Sequence, residues 1–176
     1  MTTSLVIRDA TEDDGAACAA IYGPYVTDTA ISFELEPPSA DEMADRIAAA
    51  SKNHAWLVAE EAGRVFGYAY ATAFAERAAY RWSCTTSVYL ELGRRRTGAG
   101  RALYEPLLAR LTDLGYRQAM AGMTLPNDAS AGLHRALGFE PVGVYHRVGW
   151  KHGQWRDVAW VQKTLSDATD PPTEHR

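Results

Sequence analysis

Thr85-Thr86-Ser87-Val88-Tyr89-Leu90 leads through Glu91 and Leu92 into Gly93-Arg94-Arg95-Arg96-Thr97-Gly98-Ala99-Gly100-Arg101, after which leucine recurs at Leu103, Leu107, Leu111 and Leu114. The first segment is β-branched and aromatic, the composition of a strand. The leucine spacing gives one apolar stripe on a helix, with Gly115 placed as the residue that stops it. Pro106 falls inside that helix and removes one backbone hydrogen bond, so the sequence predicts a bend near Ala102 or a cost absorbed close to the helix start. Between strand and helix lies a basic turn. Gly98 and Gly100 let the backbone approach a ligand without obstruction by Cβ, and the first helical turn offers unpaired N–H donors and the positive dipole end. Such donors suit a pyrophosphate, and Arg95, Arg96 and Arg101 add charge for the same anion. No Lys-Ser/Thr pair closes a Walker loop, and Leu103 stands where a dinucleotide fingerprint needs its third glycine. Taken alone, the turn fits a solvent-facing basic loop equally well.

On either side, the chain alternates strand and helix signals. Leu5-Val6-Ile7-Arg8 is β-rich, and Thr11-Glu12-Asp13-Asp14 has the pattern of a helix N-cap before a helix through Ala20 and Ile21. Pro24 and Pro37-Pro38 bracket an irregular stretch containing Ile31-Ser32-Phe33-Glu34. Ser39-Ala40-Asp41-Glu42 is a capping box, followed by Met43, Ile47 and Ala50 at helical spacing. Ala55-Trp56-Leu57-Val58-Ala59 and Val65-Phe66-Gly67-Tyr68-Ala69-Tyr70 flank a glycine turn as a β-hairpin. Beyond the leucine helix come a buried strand at residues 119–125, a short helix at 129–137 stopped by Gly138, and β-rich segments at 142–148 and 155–165. The order β-α-α-β-β-β-α-β-α-β-β describes a single α/β (α+β) domain over residues 1–165, a mixed sheet with helices on its faces. Residues 166–176, with Pro171-Pro172, are expected to form a mobile tail.

The 176 residues suit one domain, and 47% apolar against 23% charged residues is ordinary for a chain with a continuous core. With 18 basic and 22 acidic side chains the formal charge is −4, which disfavours a nucleic-acid backbone binder. No apolar run approaches the roughly 18 residues of a membrane span, and the first residues lack the regions of a signal peptide. A cytoplasmic protein is the expectation. Cys18 and Cys84 form no CxxC pair and the five histidines no HExxH motif, so neither a metal nor a disulfide framework is indicated.

Several ordered motifs go beyond one glycine turn. Ser87-Val88-Tyr89-Leu90, the R-x-x-G-x-G turn, Leu125-Pro126-Asn127-Asp128-Ala129-Ser130 and Leu133-His134-Arg135-Ala136-Leu137-Gly138-Phe139 resemble the coenzyme-binding core of the GNAT N-acetyltransferases. Phe33-Glu34, Arg77, Tyr80, Ser87-Val88-Tyr89 and Lys151-His152-Gly153-Gln154-Trp155-Arg156-Asp157-Val158 are similar to the phosphinothricin (methionine sulfoximine) acetyltransferase branch, so the resemblance spans about residues 5–165.

The resemblance implies a mostly antiparallel sheet in which two parallel strands splay apart, with acetyl-CoA as co-substrate in the opening. Val88, Tyr89 and Leu90 would pair with its pantetheine arm as an added strand. Arg95, Arg96, Thr97, Gly98, Ala99, Gly100 and Arg101 would hold its pyrophosphate, and Asn127 and Ser130 would contact the arm, although both also suit a turn and a helix cap. A backbone N–H of the Val88 and Leu90 strand would be the oxyanion donor, and His134 would protonate the leaving thiolate or relay a proton. The branch carries a glutamate base where this chain has Thr85, and threonine cannot accept a proton at neutral pH. A water chain ending at Glu34, a substrate arriving as the neutral amine, or impaired catalysis are the options, with Glu34 preferred.

Phe33, Phe74, Arg77 and Tyr80 would shape the acceptor pocket, the Arg77 guanidinium gripping a carboxylate or phosphinate. With Trp82 they suggest a closed aromatic pocket. Ala75 replaces a lysine found in the herbicide-detoxifying members. The expected activity is direct acetyl transfer, within a ternary complex, to the α-amine of a small amino acid or analogue. Cys84 is read as an inert core thiol. A homodimer with the acceptor pocket near the interface is implied, and Trp150, Trp155 and Trp160 are assigned to a core or dimer face. Two rival readings stay open: acetylation of peptide N-termini or antibiotic amines, and a non-catalytic acetyl-CoA or amino-acid binding module.

Overall fold

The computed structural model describes residues 4–94, 97–170 and 172. Its elements are β1 Leu5–Asp9, α1 Gly15–Thr27, α2 Ala40–Asn53, β2 Trp56–Glu61, β3 Arg64–Ala73, β4 Ser83–Leu90, α3 Ala99–Asp113, β5 Gln118–Thr124, α4 Asp128–Ala136, β6 Glu140–Lys151 and β7 Gln154–Thr164, with single 3-10 turns at Glu12–Asp14 and Ala78–Tyr80. The strands form one sheet in the order β1-β2-β3-β4-β5-β7-β6. Every neighbouring pair is antiparallel except β4 and β5.

Helix starts follow their side chains. At α2 the Ser39 hydroxyl accepts from Glu42 N at 3.2 Å while the Glu42 carboxylate accepts from Ser39 N at 2.7 Å, satisfying two donors that the helix leaves unpaired. One proline expectation is corrected. Pro24 does not end α1, which runs on to Thr27; the carbonyl deprived of its donor belongs to Ala20, which is exposed, so water can serve it. Pro106 lies inside α3, as expected, on its solvent face, where water can serve the carbonyl that loses its donor. β6 is longer than the 142–148 segment, ending at Lys151, where His152 (φ 52°) and Gly153 (φ 70°) make a tight hairpin turn into β7. Two positive φ values in succession are the geometry that matches strand twist.

The sheet has a core on each face. On one, Leu103, Tyr104, Leu107 and Leu111 of α3 and Phe139 pack over Phe66, Ala69, Cys84 and Ala121. On the other, Ile21, Tyr22 and Val26 of α1 and Met43 and Ile47 of α2 pack over Trp56, Val58 and Tyr68. No helix among the described residues is long and apolar enough to cross a membrane.

Candidate active site

β4 and β5 pair over only three positions, Ser83 with Gln118, Cys84 with Ala119 and Thr85 with Met120. Beyond them β4 continues to Leu90 and β5 to Thr124 with no pairing between the two, which opens a wedge in the middle of the sheet. β3 stays in register with β4 to the end, pairing Ala69 with Val88 and Gly67 with Leu90. Glu91 N donates to Phe66 O at 2.9 Å. That bond sets the phase of the ladder: odd-numbered residues of β4 spend their backbone groups on β3, and Val88 and Leu90 turn theirs toward the wedge. The Leu90 carbonyl is taken by the Tyr25 hydroxyl at 2.7 Å, so among the described residues donors remain at Val88 and Leu90 and an acceptor at Val88. Tyr89 is placed differently from the expectation. Its backbone faces β3, and its ring joins Tyr22, Tyr25 and Tyr68 beneath α1, away from the wedge.

At the apex of the wedge stands a buried polar chain. Thr86 Oγ is 3.3 Å from Met120 O and 3.0 Å from the Tyr104 hydroxyl, which is 2.8 Å from His134 Nε2. His134 Nδ1 lies 2.7 Å from Ser130 O. A carbonyl can only accept, so Nδ1 carries the proton, Nε2 accepts from Tyr104, and the Thr86 proton is shared between the Tyr104 oxygen and the Met120 carbonyl. Burial pushes the His134 pKa below its usual value, only partly opposed by the bond to Ser130, so the imidazole is neutral at pH 7. A neutral ring with Nδ1–H held by the helix has no proton at Nε2 to give directly.

The mouth of the wedge meets the start of α3. Gly98 (φ 77°) immediately precedes the helix, and a Cβ there would touch nothing within 4 Å, so the left-handed backbone is combined with open space. Thr97 Oγ accepts from Ala99 N at 3.4 Å. Arg94 anchors the turn, pairing with Glu61 at 2.8 Å and lying 4.0 Å from the Phe66 ring centroid. Gly100 also serves packing: its Cβ would stand 3.2 Å from a Leu133 methyl, so it brings α3 close to α4. Arg101 forms an exposed pair with Glu105 at 2.7 Å. Arg95 and Arg96 lie outside the described residues. Asn127 Oδ1 accepts from Ser130 N at 3.1 Å as the cap of α4. Open backbone donors, a positive-φ glycine with free space, and a helix N-terminus are the features a pantetheine arm ending in a pyrophosphate requires, and these residues fit it.

Side chains on the other face of β4 form a second compartment. Strand alternation sends Thr86, Val88 and Leu90 toward α3, and Thr85 and Ser87 toward α1 with Tyr89. Phe74 packs edge-on against Tyr80 at 5.5 Å and Trp160 at 6.4 Å, and the Trp160 ring covers Gly122 of β5. Phe33, Phe74 and Tyr80 are 39%, 37% and 44% exposed, so the aromatic pocket is open to solvent in a single chain, not closed. The Trp82 carbonyl accepts from Arg117 N at 2.8 Å and Arg81 lies over its ring. Arg77 is exposed, at the start of the Ala78–Tyr80 turn.

Glu34 is engaged. Arg46 of α2 holds both its oxygens, at 3.0 and 2.5 Å, and this guanidinium keeps the carboxyl below the usual carboxylate range. A carboxylate so held has a weakened hold on protons, the opposite of a general base. Burial raises the hydroxyls of Tyr22, Tyr70 and Tyr89. The Cys84 thiol is fully buried and pushed up to about 12 by desolvation, consistent with an inert core residue. Among the described residues no group of three His, Cys, Asp or Glu side chains gathers to hold a metal.

A central sheet opened between two parallel strands, with a helix N-terminus at the mouth and an aromatic pocket behind, defines a CoA-dependent acetyltransferase. The chain belongs to the acetyltransferase (GNAT) domain family, which it matches over residues 7–160, and it is an N-acetyltransferase. It is 38% identical to the phosphinothricin N-acetyltransferase of Streptomyces viridochromogenes, over 94% of this chain and 90% of that one. It is 35% identical to an L-methionine sulfoximine/L-methionine sulfone acetyltransferase of Pseudomonas paraeruginosa, over 96% and 99%. Its fold matches the crystal structure of a GNAT superfamily phosphinothricin acetyltransferase from Sinorhizobium meliloti in complex with acetyl-CoA, with a TM-score of 0.90 and 42% identity over 99% of this chain and 95% of that one.

Proposed function

We propose that this protein moves an acetyl group from acetyl-CoA to the α-amine of a small amino acid or analogue of the phosphinothricin, methionine sulfoximine or methionine sulfone type, by direct attack in a ternary complex. The observation that carries this reading is the wedge itself. It offers unpaired backbone donors at Val88 and Leu90 on one side of Thr85 and Ser87, and an aromatic compartment on the other. When bound, acetyl-CoA supplies the thioester. The chain's part is to line up the pantetheine along β4, to hold the pyrophosphate at residues 97–99 with Arg95 and Arg96 adding charge, and to point an N–H at the carbonyl oxygen.

Thr85 occupies the position of the family base, and the ionisable groups on its face are unsuited to replace it: Glu34 is lowered by Arg46, and the tyrosines are raised by burial. The acceptor therefore enters as its neutral amine. Glu34 instead orders the pocket wall with Arg46, and Arg77 takes the acceptor's acidic group. His134 acts through Tyr104 and Thr86, holding the apex of the wedge and relaying a proton along that hydrogen-bonded chain.

A homodimer would close the open pocket. β6 is a sheet edge, and Val142, Tyr145, Val148, Trp150 and Trp155 on β6 and β7 are more than half exposed, the kind of apolar surface a second copy covers. Trp160, by contrast, packs within the chain. Release of free CoA thiol from acetyl-CoA, with L-methionine sulfoximine, phosphinothricin, proteinogenic amino acids and short peptides as acceptors, tests the reading. Turnover confined to the amino-acid analogues supports it. Turnover of peptides alone, or acetyl-CoA binding without turnover, would replace it with one of its rivals.

A further inference from the structure

Lys151, the last residue of β6, is 4% exposed and the one buried lysine or arginine among the described residues. Its Nζ donates to Ser32 O at 2.6 Å and to Glu34 O at 3.0 Å. Phe33, between those two carbonyls, lays its ring on Gly149, where a Cβ would stand 2.2 Å from Cε2. The adjoining hairpin adds further ties: His152 Nε2 is 3.1 Å from Thr29 O. Thr124 Oγ of β5 donates to Ile31 O at 3.4 Å. Segment 29–34 has no regular structure, so its carbonyls have no ladder to join, and one ammonium with three N–H donors serves two of them at once.

Burying an ammonium is costly, and an irregular loop could satisfy its carbonyls with water at less cost. The expense is understandable where the loop must be held in one place. Two positions of β6, two residues apart and on one side of the strand, fix this loop jointly: glycine provides the seat for the Phe33 ring, and lysine fastens the backbone on either side of it.

We infer that Gly149 and Lys151 are positioning residues for acceptor recognition, setting Phe33 and the Glu34 and Arg46 pair from the C-terminal hairpin. This rests on the proposed reading that Phe33 faces the acceptor. It assigns a task to the Lys151-His152-Gly153 motif that coenzyme binding leaves without one, and it ties pocket shape to the hairpin whose outer surface is apolar.

The test uses Lys151→Met and, as a variant that keeps the ammonium, Gly149→Ala, which displaces the ring while Phe33, 39% exposed, has solvent to swing into. Steady-state kinetics are measured in the full chain with L-methionine sulfoximine as varied acceptor, acetyl-CoA affinity by calorimetry, and hydrogen exchange of amides 29–36. Both variants are expected to raise the acceptor KM, Lys151→Met by about tenfold or more, the range of lost charged hydrogen bonds, with acetyl-CoA affinity within about twofold of wild type and faster exchange confined to the loop. An unchanged acceptor KM in either folded variant, or a parallel fall in acetyl-CoA affinity, would overturn the inference while leaving the acetyltransferase reading intact. A wild-type protein that binds acetyl-CoA yet acetylates none of the acceptors would overturn both.

Discussion

The Tyr104 hydroxyl stands 2.8 Å from His134 Nε2 and 3.0 Å from Thr86 Oγ, so one buried phenol links α3, α4 and β4 at the point where the sheet divides. Replacing it by phenylalanine keeps the ring but leaves the imidazole nitrogen without its donor and the threonine with one acceptor fewer. Tyr104→Phe is expected to lose about 1–3 kcal/mol of stability, read by denaturant unfolding. A loss near zero would mean that the chain of bonds does not hold the apex.

The same imidazole carries a pH signature. His134 has its pKa lowered in the folded protein, so below about 6.5 the unfolded chain binds a proton that the folded chain does not. The unfolded state then holds more protons, and stability rises with pH through that window. Full stability is therefore present above about 6.5 and is lost progressively as pH falls toward the lower folded value. His134→Gln should flatten the slope of unfolding free energy between pH 7 and 5. An undiminished slope would assign it to other groups.

Much of this arrangement is legible in the sequence, and the exceptions share a cause. Leucine spacing, the Ser39 capping box and the glycine turn report local periodicity and backbone geometry, which is why the element order follows from them. Tyr104 sits on the same stripe as Leu103 and Leu107, so a helical pattern marks it as core without revealing its polar partners. Lys151 could be flagged as a charge at the end of an apolar β-rich segment, but its partners lie 117 and 119 residues away. The sequence offers Glu34 as a base because its partner Arg46 is twelve residues off on another element, and tertiary pairing leaves no trace in spacing. Pro24 reads as a helix end in the sequence, whereas the cost of a helical proline depends on whether the abandoned carbonyl reaches water.

With Thr85 in place of a carboxylate and Glu34 held by Arg46, catalysis should follow the ionisation of the acceptor. The acceptor kcat/KM should rise with pH toward the amine's own pKa, and Glu34→Gln should leave the shape of that profile unchanged while altering KM. A plateau that begins near pH 7 in the wild type and disappears in Glu34→Gln would restore the carboxylate as the base.

Arg77 is exposed beside the aromatic compartment, where a guanidinium can bind an acidic group on the acceptor bidentately. Arg77→Ala is expected to raise KM for an anionic acceptor about tenfold or more, with little change in acetyl-CoA affinity. An unchanged KM would remove it from the pocket.

The exposed tryptophans on the last hairpin, Trp150 of the edge strand β6 and Trp155 of β7, meet edge-on at 5.3 Å. If a second copy covers them, the double change Tyr145→Asp and Trp155→Ser should convert a dimer into a monomer by sedimentation and raise the acceptor KM. A monomeric wild type would contradict the homodimer.

A crystal structure of the protein with acetyl-CoA tests most directly whether the wedge between β4 and β5 is the seat of the acetyl donor. The expected result is a pantetheine arm hydrogen-bonded to Val88 and Leu90, with the pyrophosphate against the amides at Gly98 and Ala99. Electron density for the molecule at any other surface, with the wedge filled by solvent, would contradict it.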